Sequence, residues 1–226
     1  IREYEDQGYL PEAMLNYLVR LGWSHGDQEI FSLDEMISLF DVKAVNQSAT
    51  SFNPEKLLWI NQQHIIDTPA PQLGAALMPF LVKAGLDPSL GPDPEHVANA
   101  YHERAETLLH MAASARYCYE DFDVIDEKSA KKHLRPVILE PFRVARNRLN
   151  ELDHWGQTAI HEVIEGVAAD FDMNLGKLGQ PIRVAVTGGP VSPPIDVTLW
   201  LIGQVRTIER MDRAISIIEA RSAAAS

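Results

Sequence analysis

The 226-residue sequence predicts an all-α protein. Its apolar residues recur mostly at spacings of three and four, which is the period of a helix with one buried face. Strict alternation of apolar and polar residues, which is typical of strands, is rare. Proline near the start of apolar stretches and glycine just past their ends punctuate the chain in the way that helix boundaries do.

The first third of the chain predicts three helices. The first begins near Pro11 and stops before Gly22. Its apolar stripe consists of Leu10, Met14, Leu15, Leu18 and Leu21. Ser32 and Glu35 have the spacing of a capping box, which opens the second helix. An Asn-Pro pair at 53–54 caps and starts the third.

The middle of the chain contains two candidate domain boundaries. A proline-rich connector at 68–71 indicates the first, and an acidic, aromatic passage at 117–126 indicates the second. Between them, one helix is predicted to stop at Gly85, and a long helix is predicted from Glu95 to about Arg116.

Three helices are predicted after the second boundary, and the stretch that follows them is ambiguous. The helices are a basic one at 127–134, one that opens at Pro141, and one at 158–171. At 182–187 apolar residues alternate with others, which also fits a strand. On the pattern alone, helix and strand both remain possible there.

Residues 176–213 are rich in glycine, proline and arginine. Gly188 ends an apolar run, because glycine accepts a positive φ. Ser192 before Pro193 predicts a helix N-cap, and Gly203 predicts the next helix end. The last helix carries Arg206, Arg210 and Arg213.

Arg183 is the single cation in the apolar run 182–186. A guanidinium on a rigid frame suits a planar partner, because it offers a fork of donors and a flat face for stacking. The alternative is a structural salt bridge with a neighbouring helix.

The composition limits how the chain could bind nucleic acid. A net charge of −12 excludes binding through an overall basic surface, so binding requires a local basic face. Lysines and arginines cluster at 128–148, whereas acids concentrate elsewhere, so strongly salt-dependent binding on one side is expected. The single cysteine, Cys118, excludes an internal disulfide and fits a cytoplasmic location. No apolar run approaches the length of a membrane-spanning helix.

Three stretches resemble bacterial glutamyl-tRNA synthetases, in the order that this family has. Residues 176–213 contain the family's pattern K-x-G-x-P-x-R-V-A-V-T-G as GKLGQPIRVAVTG. Residues 8–26, GYLPEAMLNYLVRLGWSHG, and 52–61, FNPEKLLWIN, resemble segments that follow the family's ATP-binding lysine loop. The resemblance implies a helix rather than a strand at 182–187.

The resemblance implies an elongated set of small helical bundles. Residues 1–68 are expected to form a stem-contact region that follows the catalytic domain, 69–124 a first anticodon-binding domain, and 125–226 a second. The H-I-G-H and K-M-S-K-S type signatures are absent. We therefore expect a tRNA-binding portion of a glutamate–tRNA ligase with no catalytic residues of its own. It should hold no cofactor, since ATP and Mg²⁺ belong to the catalytic half, and should bind glutamate tRNA as a cytoplasmic monomer without membrane contact.

The resemblance also implies RNA-binding residues. Arg183 matches an arginine that contacts the anticodon, and Ser192 and Ile195 fall where neighbouring contacts arise. Arg104 matches an arginine associated with the third anticodon base and with rejection of glutamine tRNA. Lys56 lies in a segment that approaches the tRNA inner corner, where it could contact a phosphate. The alternatives are ion pairs for the arginines, an N-cap for Ser192 and a core position for Ile195.

Two other functional classes fit parts of the sequence. An acidic, helical protein-interaction domain without an RNA partner would have the same amphipathic helices. A metal-dependent hydrolase around His161 would need a second histidine, which its motif lacks, so no metal site is predicted. Trp59 is expected in the core, and Cys118 is expected to be buried packing rather than a nucleophile.

Overall fold

The structure is a computed structural model that describes residues 2–45 and 51–224. These ranges contain thirteen α-helices, four short 3-10 turns and no β-sheet. The predicted all-α fold is confirmed. No helix in the described ranges is long and apolar enough to cross a membrane.

The chain divides into two compact units. Unit 1 comprises Ile1–Pro88 and Asp93–Ala115, and unit 2 comprises Ser89–Pro92 and Arg116–Ser226. The three-domain division with boundaries after 68 and 124 stays a prediction.

In its described residues, unit 1 contains seven helices. They are α1 (Arg2–Asp6), α2 (Pro11–Gly22), α3 (Leu33–Leu39), α4 (Pro54–Asp67), α5 (Ala70–Lys83), α6 (Pro94–Tyr101) and α7 (Leu108–Ser114). Helix α2 packs on α4, while α5 packs on α6 and α7. The predicted caps are confirmed: Ser32 and Glu35 form a reciprocal capping box, and the Asn53 side chain accepts the Lys56 N–H.

The predicted apolar stripe of α2 is wrong in part. Leu15 and Leu18 are 46% and 49% exposed, whereas Asn16 is fully buried. Asn16 turns inward because its side chain accepts the Phe31 N–H at 2.9 Å and donates to the Glu29 carbonyl at 3.0 Å. An amide whose hydrogen bonds are made can be buried in a core without a large free-energy cost, and this amide holds the loop before α3.

The predicted long helix from Glu95 to Arg116 is also wrong, because it is broken into α6 and α7. The Leu108 N–H bonds to the Gly8 carbonyl at 3.0 Å instead of continuing a helix. Asn61 of α4 donates to the Glu106 carbonyl at 2.6 Å, and Thr107 caps α7. Partners distant in sequence therefore bond the backbone groups that a continuous helix would have used.

The described part of unit 2 contains six helices. They are α8 (Glu127–His133), α9 (Leu139–Asn150), α10 (Gln157–Asp170), α11 (Leu175–Thr187), α12 (Ile195–Ile202) and α13 (Gln204–Ala224). Helix α11 is central, since it packs against α8, α9, α10, α12 and α13.

The helix implied at 182–187 is confirmed as the second half of α11. Ile182, Val184 and Val186 are all fully buried although they share no single helix face. A helix surrounded by others must be apolar on most sides, which explains the strand-like alternation. Gly188 with φ 77° and Gly203 with φ 86° end α11 and α12 as predicted.

Candidate RNA-binding interface

Arg183 lies half-buried on α11, and three side-chain nitrogens of its guanidinium group donate to fixed acceptors. Nε donates to Ser192 Oγ at 2.8 Å, and one terminal nitrogen donates to Gln180 Oε1 at 2.5 Å. The other terminal nitrogen donates to the Pro193 carbonyl at 3.3 Å. These three acceptors are neutral, so they orient the guanidinium without neutralising its charge.

Ser192 is buried and supports Arg183 rather than capping a helix. Helix α12 begins at Ile195, with Pro194 as its N-cap residue and no side-chain cap, so the predicted N-cap is wrong. Ser192 Oγ lies 2.8 Å from Thr198 Oγ1, and Thr198 in turn donates to the Pro193 carbonyl at 3.0 Å. This buried network leaves Ser192 Oγ little freedom to move away from Arg183.

Gln180 joins the loop after α11 to the helix itself. Its Nε2 donates to the Pro190 carbonyl at 2.9 Å, while its Oε1 accepts from Arg183. The Arg183 cluster, as we call Gln180, Arg183, Ser192, Pro193 and Thr198, is thus one bonded group. Rigid placement of a guanidinium favours selective recognition, because little entropy is lost when a partner binds.

Ile195 is only 6% exposed at the start of α12. A Cβ added at Gly179 would lie 3.6 Å from Ile195 Cγ2, so this isoleucine sits directly over the small face of α11. In this conformation its side chain packs in the core of unit 2, which was the alternative to a base contact.

Arg104 lies exposed in unit 1, in the turn between α6 and α7. Its backbone N–H bonds to the Tyr101 carbonyl at 2.8 Å, which fixes the turn. Among the described residues, its guanidinium has no hydrogen-bond or ion-pair partner. This exposed guanidinium is therefore available to a ligand.

Lys56 on α4 is engaged with its neighbours in unit 1. It forms an ion pair with Glu29, and its Nζ lies 4.1 Å from the centre of the Trp59 ring. Partial burial, and secondarily the charge of Arg20, lower the pKa of Lys56 below its usual value. Trp59 is 39% exposed, so its expected core position is wrong: the indole forms a surface that the Lys56 ammonium covers.

The basic stretch at 128–148 divides into a part whose cations form ion pairs and a part whose cations do not. Three of its four arginines pair with carboxylates: Arg143 with Glu140 and Glu219, Arg146 with Asp212, and Arg148 with Asp170. The exposed cations at 128–135 make no ion pair within the described ranges. They are Lys128, Lys131, Lys132 and Arg135. The predicted local basic face is therefore narrower than the sequence indicates.

The arginines of α13 stabilise unit 2. Arg210 is 1% exposed and donates to the carbonyls of Tyr117, Val186 and Glu120 at 2.7–2.9 Å. Burial lowers the pKa of Arg210, and the hydrogen bonds that Arg210 donates to Asp121 oppose that effect. A fully bonded, buried guanidinium stabilises the position of the segment that it binds.

Cys118 is fully buried, and burial raises the pKa of its thiol to about 12. A thiol that stays protonated is a poor nucleophile, so the predicted packing role is confirmed. In the described ranges, no group of three or more His, Cys, Asp or Glu side chains could hold a metal ion.

Sequence reasoning missed Gln180 and Thr198. Gln180 could have been found, because it lies three residues before Arg183 and such residues are neighbours on a helix surface. Thr198 offered no comparable signal, since it approaches Arg183 only through Ser192 and the folded loop between α11 and α12.

Two sequence families match this chain. Residues 72–215 match the family described as "Anticodon binding domain". Residues 1–59 match the family described as "tRNA synthetases class I (E and Q), catalytic domain". The second match covers most of the region that was expected to follow a catalytic domain.

Similar proteins carry matching names. "Glutamate--tRNA ligase 1" of Nitrosococcus oceani is 51% identical over 98% of this chain and 47% of its own length. "Glutamate--tRNA ligase 1" of Alkalilimnicola ehrlichii is 49% identical over 99% of this chain and 47% of its own length. The chain therefore spans about half the length of these curated relatives.

A solved structure is similar to this chain. It is the crystal structure of a glutamate tRNA ligase from Elizabethkingia meningosepticum in complex with its amino acid. The TM-score is 0.84 at 27% identity, with 95% of this chain and 43% of the other covered.

Proposed function

Because this chain belongs to the anticodon-binding domain family, we propose that it is the tRNA-binding portion of a bacterial glutamate–tRNA ligase. The main supporting observation is the Arg183 cluster, where three neutral acceptors orient a guanidinium on a rigid helix. Such a group can donate to the acceptor edge of an unstacked anticodon base. The proposed role of unit 2 is to identify the tRNA by its anticodon.

Arg104 serves a second contact in this proposal. Its exposed guanidinium can reach the O2 and N3 acceptors of an unstacked cytosine at the third anticodon position. A base without those acceptors would leave the arginine unbonded, so Arg104 would favour glutamate tRNA over glutamine tRNA.

Lys56 has a weaker role, because its ammonium is already paired with Glu29. A phosphate of the tRNA inner corner could exchange with that carboxylate. Its contribution would be electrostatic and independent of sequence.

The proposal places the attachment of glutamate to tRNA outside this chain. The relatives are about twice as long as this chain, and we place ATP, Mg²⁺ and glutamate on the half that it does not span. The chain itself would select tRNA as a cytoplasmic monomer. Its elution volume in size-exclusion chromatography would test the monomeric state.

The proposed function is tested by titrating the chain with two tRNA transcripts. One is a glutamate-accepting tRNA, and the other is the same tRNA with its anticodon replaced. We expect binding to the replaced anticodon to be weaker by roughly 5- to 100-fold, since one well-formed contact to a base discriminates by about 1–3 kcal/mol. Equal affinities would contradict anticodon recognition.

A further inference from the structure

Unit 2 contains an open groove of about 840 Å³, and none of the RNA-binding residues implied by the family resemblance lines it. It runs between the end of α8, the start of α9, the turn after α10 and the first half of α11. Its volume lies within the range of pockets that hold whole small molecules or nucleotides.

The rim of the groove is cationic. Lys132, Arg135 and Lys177 line it and are exposed. Within the described ranges, none of their charged groups makes a hydrogen bond or an ion pair. None of the described lining residues carries a carboxylate. In a chain of net charge −12, such a groove is selectively complementary to an anion.

The groove also presents apolar surface beside these cations. Phe171 is 39% exposed and Val137 is 79% exposed, and both line it together with Met173 and Pro181. Phe171 and Met173 flank Asp172, whose φ of 50° forms the tight turn after α10. An aromatic ring next to unpaired cations is the combination with which proteins hold single-stranded nucleic acid, since bases stack while phosphates pair.

Gln180 connects the groove to the Arg183 cluster. It lines the groove, and its Oε1 accepts from Arg183 at 2.5 Å. A ligand in the groove therefore lies one side chain away from the guanidinium that we assign to the anticodon.

We propose that this groove binds one unstacked nucleotide of the same RNA loop that Arg183 contacts. Its base lies against Phe171, and its phosphates pair with Lys177, Arg135 and Lys132. The inference rests on the proposed function and adds a second point at which unit 2 holds the loop.

The test measures affinity for the glutamate-accepting tRNA transcript over a range of salt concentrations. Lys177→Ala and Arg135→Ala are each expected to weaken binding. Each should also reduce the slope of log affinity against log salt by about 0.7, the value for one phosphate contact to a single strand. Lys128→Ala and Lys131→Ala are the matched controls, because both residues are exposed on α8 and do not line the groove.

Phe171→Ala tests the stacking contact, with Phe171→Leu as the partner variant that keeps apolar volume without a ring. Both are expected to weaken binding by roughly 5- to 100-fold if the ring stacks on a base. If Phe171→Leu binds as the unmodified chain does, the ring only packs and the stacking contact is overturned. Circular dichroism confirms that the variants fold.

The outcomes separate this inference from the proposed function. Groove variants that bind like the Lys128→Ala and Lys131→Ala controls would overturn the groove site while Arg183→Ala still weakened binding. Weaker binding with an unchanged salt slope would overturn the phosphate contacts. If Arg183→Ala also had no effect, the proposed function itself would fail.

Discussion

At the scale of single residues, the geometry of the candidate site depends on the hydrogen bonds that position Arg183. The sequence predicted Arg183 because it is the only cation in an apolar run, and the family resemblance added Ser192. Neither could predict that Ser192 Oγ accepts the Arg183 Nε–H at 2.8 Å, since that bond requires the loop after α11 to fold back. The sequence thus proposed residues of the candidate site, whereas the structure identifies which of them position the others.

Ser192→Ala tests this positioning role. The variant removes the acceptor of Arg183 Nε and leaves the Gln180 and Pro193 bonds in place. We expect the ratio of affinities for the correct and the replaced anticodon to fall, but less than with Arg183→Ala. Titration of each variant with both transcripts measures this ratio.

Ser216→Ala is the matched control, because Ser216 is an exposed serine on α13 outside the Arg183 cluster. A ratio unchanged by Ser192→Ala would show that the serine only packs in the core. Urea unfolding of both variants separates a loss of stability from a loss of discrimination.

Gly188 and Gly189 form a natural pair for testing the end of α11. Gly188 has φ 77°, and a Cβ there would lie 3.1 Å from the Phe122 ring. Gly188→Ala should lower the free energy of unfolding by about 1–2 kcal/mol, because a left-handed conformation is costly for residues with a Cβ. Gly189→Ala should change it little, since a Cβ there would meet no atom within 4 Å.

Chemical denaturation of the unmodified chain, Gly188→Ala and Gly189→Ala measures the difference in unfolding free energy. Equal unfolding free energies for the two variants would contradict the assigned geometry of the α11 end. This loop carries Pro190 and Pro193, so loosening it should also disturb the Arg183 cluster.

At the scale of helices, local signals were predictable and distant partners were not. The starts of α3 and α4 followed from Ser32 and Asn53, whose capping bonds span only three residues. The break between α6 and α7 depends on Gly8 and Asn61, which are distant in sequence. The pattern at 95–116 therefore predicted helix correctly in type but not in continuity.

Helix α13 is held in unit 2 by Arg210. We expect Arg210→Met to destabilise unit 2 by about 3–5 kcal/mol, because it leaves carbonyls of the 117–120 segment and of Val186 without their donor. Urea unfolding followed by circular dichroism measures the effect.

Arg213→Met is the control on the same helix. Arg213 is exposed and donates one bond to the Phe122 carbonyl, so its loss should cost about 1 kcal/mol or less. Similar losses of unfolding free energy in the two variants would contradict the stabilising role of Arg210.

At the scale of the whole molecule, most arginines in the described part of unit 2 are bonded within the chain. The net charge is −12, and many arginines of unit 2 are consumed by carboxylates or backbone carbonyls. The sequence could predict that basic residues cluster at 128–148 but not which of them are paired. Because most arginines of unit 2 are already bonded, RNA binding should depend on the remaining cations, which single substitutions can identify.

The most direct test of the central claim combines Arg183→Ala with the anticodon replacement. Affinities of the unmodified chain and the variant are measured for both transcripts, with Arg148→Ala as a control arginine that pairs with Asp170. We predict that the unmodified chain and the Arg148→Ala control discriminate fully between the transcripts, whereas Arg183→Ala keeps only the part of the discrimination that Arg104 supplies. If Arg183→Ala keeps the full discrimination of the unmodified chain, Arg183 does not read the anticodon and the account is contradicted.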